Sequence, residues 1–138
     1  MTVMNESGAR TVMIAFAAYL FVCSISAIFF PVSWLWTAGL NTLISPELGL
    51  VFSVLGSYLL SLSIGAWIAS RSPAKHRGII AVLLASQICD FFATLLAVYS
   101  GSLPRLPGTG FLVLTVIWST VLGLAWYTCA TPENTQTP

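Results

Sequence analysis

One acidic side chain stands inside a long apolar run of this 138-residue chain: Asp90, near the middle of the stretch Gly78 to Ser100. A carboxyl at the centre of a membrane-crossing helix costs about 2.5 to 3.5 kcal/mol on insertion scales, so it must face a bundle interior, find a partner, or hold a proton. Gln87 and Thr94, at i−3 and i+4, share its helical face and extend it into a polar stripe. Counting from the ends of the other apolar runs places Tyr19, Tyr58 and Trp118 at about the same depth. Together these residues could make a midplane site. In it Asp90 would accept a proton or a cationic group, Tyr19 and Tyr58 would donate hydrogen bonds, and Trp118 would offer an aromatic face. Two other uses fit the same residues. A protonated Asp bonded across helices is structural glue worth about 0.6 kcal/mol per bond, and an Asp turned outward can meet a charge on a partner subunit.

The remaining reactive types point to little chemistry. Cys23, Cys89 and Cys129 fall inside or at the ends of apolar segments, with no CxxC pair and no metal-ligand spacing, and read as small buried hydrophobes. His76 is the only histidine, which excludes a pair of histidine ligands to one haem within the chain. No catalytic triad, metal cluster or phosphate loop can be assembled, so the sequence points to a non-enzymatic protein that needs no cofactor. A net charge of +1 gives no basic field for nucleic acid.

The elements that must position these residues are set by composition. With 57% hydrophobic and 7% charged residues and a mean hydropathy of +0.93, the chain lies far outside soluble norms, where about a quarter of residues are charged. About 20 apolar residues cross a bilayer as a helix, and the stretches 11–30, 48–70, 78–100 and 111–129 meet that length. The fold class expected is all-α, a single transmembrane four-helix bundle with antiparallel neighbours and a polar tail at 131–138. Pro31 closes the first span. Ser45, Pro46 and Glu47 read as N-cap, first-turn proline and dipole-matched acid for the second, and Ser72-Pro73 repeats the pattern before the third. Pro104, Pro107, Gly108 and Gly110 read as the turn before the fourth. The first run is longer than the h-region of a cleaved signal and reads as an uncleaved helix.

Arg71, Lys75 and Arg77 crowd the connection between the second and third spans, whereas the next connection holds only Arg105. The positive-inside rule then places both chain ends on the cytoplasmic side, with Phe29, Phe30, Trp34, Trp36 and Tyr99 at the outer interface and Trp67, Trp126 and Tyr127 at the inner one. The connection Pro31 to Ser45 repeats apolar residues at near-helical spacing and is expected to lie flat on the membrane as an interfacial helix.

Small residues recur at i+4 on two spans. Ser53, Ser57, Ser61, Gly65 and Ala69 form one ridge, and Thr115, Ser119 and Gly123 another, the pattern that lets helix backbones approach closely in lipid. Both are expected to serve helix packing, within the chain or between copies.

The basic turn Ser72-Pro73-Ala74-Lys75-His76-Arg77-Gly78, leading into Gln87 and Asp90, and the outer Pro-Gly turn give the chain a layout that resembles the small bacterial DoxX-like and BphX-like membrane proteins. The resemblance covers most of the length, implies a four-helix membrane fold in the bacterial inner membrane, and carries no functional residue with it. Small multidrug transporters also have four spans and a membrane carboxylate, but theirs is a Glu in the first helix. The sequence therefore leads to two expectations. The first is an accessory or structural membrane subunit that associates with other membrane proteins or with itself. The second is a small proton-linked carrier or binder of a lipophilic compound at the level of Asp90.

Overall fold

The computed structural model describes residues 6–33 and 46–129, with side chains from residue 49 onward in the second stretch. Residues 34–45, which hold Ser45 and most of the connection read as an interfacial helix, and the tail 131–138 lie outside the described residues. The described chain is four helices: α1 (Glu6–Phe29), α2 (Pro46–Arg71), α3 (Arg77–Tyr99) and α4 (Arg105–Thr128). Each is long and apolar enough to cross a membrane, and the chain is a multi-pass membrane protein.

Three helix starts differ from the sequence expectation, and the first is α1, which opens at Glu6, five residues before the apolar run that begins at Thr11. The fourth helix opens at Arg105 rather than Phe111, so Pro107 and Gly108 lie within its first turn instead of in a loop. Proline is tolerated there because the first N–H groups of a helix have no intrahelical acceptor. The N-cap of α3 is His76, with no side-chain cap bond, rather than Ser72. Ser72 instead closes the preceding turn, its carbonyl accepting from the His76 backbone N–H at 3.1 Å and facing His76 Nδ1 at 3.0 Å. Gly101, at φ +73°, ends α3 in the left-handed conformation that glycine adopts without a Cβ clash.

The helices pack as two antiparallel hairpins, α1 with α2 and α3 with α4. The first is closely seated. A Cβ on Gly56 would lie 2.6 Å from Ile28 Cγ1 and 3.0 Å from both the Ile28 nitrogen and the Ser24 oxygen. Further along the same seam, Ser63 Oγ donates to the Ala17 carbonyl at 2.9 Å. The α3–α4 hairpin closes on Gly108, where a side chain would collide with Val98.

Between the hairpins the packing is one-sided. Met13, Phe16 and Leu20 of α1, Ala66 and Ala69 of α2, Ile80 and Leu83 of α3 and Leu122 of α4 form one buried cluster. All but Leu20, which lies just past the middle of α1, are toward the end that carries Arg10, Arg71, Lys75 and Arg77, here termed the basic end. At that end Arg77 opens α3, a position where the helix dipole disfavours a cation. Its guanidinium stacks 4.2 Å above the Trp126 ring of α4, whose face offsets the charge. Toward the far end the hairpins part. On α3 no described residue beyond Gln87 is buried. The buried residues there, Ser24, Ala27 and Gly56 in one hairpin and Gly108 in the other, serve contacts inside a hairpin.

Candidate functional site

The place where the shared core ends and the hairpins separate is also the level of Asp90. On α3 the core-facing residues Ile80, Leu83 and Gln87 follow a helical stripe whose next members are Asp90 and Thr94. Gln87 is 5% exposed, whereas Asp90, three residues further on, is exposed. The two are joined along the helix by Gln87 Nε2 donating to Asp90 Oδ2 at 3.3 Å. Asp90 therefore sits at the lip of the core, held by a neighbour on its own helix.

Across from it, Tyr19 of α1 and Trp118 of α4 stack with ring centroids 5.3 Å apart and planes inclined by 30°. Phe16 completes the group, 4.7 Å from Trp118 and 6.2 Å from Tyr19. This aromatic trio roofs the buried cluster and joins the first hairpin to the second. The Tyr19 hydroxyl lies beside the Cys23 thiol one turn along and within electrostatic reach of the Asp90 carboxyl. The indole Nε1–H of Trp118 is buried with no acceptor among the described residues. The arrangement can therefore offer a carboxyl, an amide, a phenol and an unspent N–H donor around one opening.

Of the residues expected at the midplane, Tyr19 and Trp118 meet, with Gln87 and Asp90 at the edge of the same core. Tyr58 stays apart, 49% exposed and outside the aromatic group. Phe16 is a member that midplane counting does not reveal. Its signal in the sequence is its place three residues before Tyr19, on the same helical face.

The small-residue ridges divide. Gly65 faces α3, where an added Cβ would be 3.6 Å from Ile79 Cγ2, and Ala69 lies in the core. Ser57 and Ser61 are exposed. They turn their hydroxyls back onto their own helix, bonding Ser53 O and Ser57 O at 3.1 Å each. Ser53 bonds Gly49 O in the same way, at 3.1 Å. On α4 Ser119 is partly buried, and a Cβ on the partly buried Gly123 would meet no atom within 4 Å. The seam to α1 instead uses Gly56 and Ser63, seven residues apart, and Ser70, buried a further seven residues on, bonds the Trp67 carbonyl of its own helix at 2.7 Å. That is a heptad spacing, which keeps one face toward an antiparallel neighbour.

Among the described residues no cluster of three His, Cys, Asp or Glu side chains could hold a metal ion. Comparison with known protein families, with curated proteins and with solved structures finds no match to this chain.

Proposed function

We propose that the protein is a small accessory or structural subunit of the bacterial inner membrane, non-enzymatic, of the DoxX-like and BphX-like kind, with both chain ends on the cytoplasmic side. The observation that carries this reading is the exposure of Asp90 at mid-depth, with Gln87 of its own helix as its hydrogen-bond partner. A carboxyl facing lipid is costly, and a neighbouring protein that supplies a donor or a cation removes that cost. Every Lys and Arg of this chain lies near a helix end, at Arg10, Arg71, Lys75, Arg77 and Arg105. A second copy has no mid-depth cation to give, which favours a different membrane protein as the partner, with amide-to-carboxyl pairing between copies the other route.

The test is extraction of the tagged protein from its native membrane in mild detergent. Wild type should bring down a stoichiometric membrane partner, and Asp90→Leu should release it while keeping the monomer folded. A wild-type protein that emerges as a lone monodisperse monomer sinks the reading.

A second reading rests on the buried, unpaired Trp118 N–H at the edge of the core. With Asp90 and Tyr19 it could hold a lipophilic compound bearing an acceptor or a cation, moved with a proton on Asp90. Asp90→Asn would then abolish binding of that compound without altering association. Unchanged binding in this variant removes the carrier reading.

A further inference from the structure

The surface of the first hairpin that faces away from the core carries a groove of about 350 Å³ between α1 and α2. Its walls are Ile14, Ala17, Ala18 and Phe21 on one side and Ile64 and Trp67 on the other. The groove exists because Ala17 and Ala18 are small where their neighbours along the face, Ile14 and Phe21, are large. Such an apolar slot in a membrane-crossing surface takes a hydrocarbon chain.

What lies below the groove makes it specific. Arg10 stands one helical turn from Ile14 on the same face of α1, and Arg71 one turn from Trp67 on the same face of α2. At a rise of 1.5 Å per residue, each guanidinium stem begins about 6 Å beyond the last apolar wall. Both arginines are exposed, and neither has an ion-pair partner among the described residues. Because the two helices run antiparallel and are tied by Gly56 and Ser63, the arginines flank one mouth of the slot. Guanidinium pairs bind phosphate oxygens bidentately, and Trp67 supplies the amphipathic ring that favours the headgroup level.

We infer that the α1–α2 groove with Arg10 and Arg71 is a binding site for one anionic phospholipid, an acyl chain lying between Ala17, Ala18 and Trp67 and the phosphate held by the two arginines. This site is on the opposite face from the aromatic trio and is independent of how Asp90 is used.

The experiment is native mass spectrometry of the full chain in detergent, titrated with phosphatidylglycerol and with phosphatidylcholine of the same acyl composition. A juxtamembrane basic residue strengthens anionic-lipid binding roughly five-fold, so Arg10→Gln with Arg71→Gln should cut the phosphatidylglycerol preference by about twenty-fold or more. Ala18→Phe, which fills the slot, should weaken both lipids. Lys75→Gln, a cation of the same end that is off the groove, should leave the preference intact. An unchanged preference in the double variant overturns the site, as does an equal loss in Lys75→Gln, which reports general surface charge. Displacement of the lipid by millimolar inorganic phosphate would also overturn it, since the groove would then contribute nothing. Both arginines are exposed and have no ion-pair partner among the described residues, so an unaltered melting curve should accompany their replacement.

Discussion

Ser63 and Ser24 lie in the same α1–α2 seam with opposite hydrogen-bonding states. Ser63 Oγ donates to the Ala17 carbonyl at 2.9 Å, while the Ser24 hydroxyl, fully buried two turns further along α1, has no partner among the described residues. The seam thus holds one serine that ties the helices and one that is carried at a cost.

The two serines should respond to alanine with opposite signs. Ser63→Ala loses a bond of about 0.6 kcal/mol, whereas Ser24→Ala removes an unsatisfied buried polar group and should stabilise by about 1 kcal/mol. Unfolding in mixed detergent micelles, read by circular dichroism, separates the two. Destabilisation by Ser24→Ala would show that its hydroxyl has a partner in the membrane.

Gly56 tests how close the helices must be. Two of the three atoms that an added methyl would approach are backbone, the Ile28 nitrogen and the Ser24 oxygen, each at 3.0 Å. Backbone cannot rotate away, so Gly56→Ala should push the helices apart and cost about 1 to 3 kcal/mol. Gly123→Ala, where a Cβ meets open space within 4 Å, should be neutral or slightly stabilising through helix propensity. A common outcome for both glycines would contradict the packing.

The aromatic trio predicts a contrast between residues of the same depth. Trp118→Ala removes two ring contacts, with Phe16 at 4.7 Å and Tyr19 at 5.3 Å, each pair worth about 0.5 to 1.5 kcal/mol beyond area. The loss should therefore exceed about 1 kcal/mol. Tyr58→Ala, at a half-exposed position, should stay within about 0.5 kcal/mol of wild type.

Cys129 reports on topology without mutation. It caps the end of α4 at the basic end, and burial raises its thiol above the ordinary range. A membrane-impermeant maleimide should label it in inside-out vesicles and not in intact cells. Because only the thiolate reacts, the rate should keep climbing past pH 9.0, where an unperturbed thiol begins to level off. Labelling from the outside would reverse the orientation expected from the basic turn.

Much of this fold could be read from the sequence because bilayer thickness fixes span length and a lone mid-span carboxyl is conspicuous in apolar surroundings. The helix starts were less legible. Pro107 has the same residue type whether it breaks a helix or sits harmlessly in its first turn, and only the position of Pro104 as N-cap settles which. The packing face of α2 was harder still. Its serines repeat at i+4 through Ser53, Ser57 and Ser61 and at i+7 through Ser63 and Ser70, and a small hydroxyl that faces lipid can satisfy itself on its own helix. Depth likewise can be counted from helix ends, which gave the levels of Tyr19, Tyr58 and Trp118. Which of them meet depends on helix rotation, and rotation is set by Gly56 against Ile28, a contact that no spacing rule names.

The parting of the hairpins beyond Gln87 and Ser63 bears on how the chain is made. Each hairpin carries its own lock, Gly56 against Ile28 in the first and Gly108 against Val98 in the second, so the α1–α2 pair has its full interface while α3 is still being synthesised. Biogenesis can then proceed as two insertions followed by one lateral docking, in which Phe16, Tyr19 and Trp118 close last. A chain cut in the turn between Arg71 and Arg77 would leave each half with its lock, and the halves would reassemble when made together in one membrane.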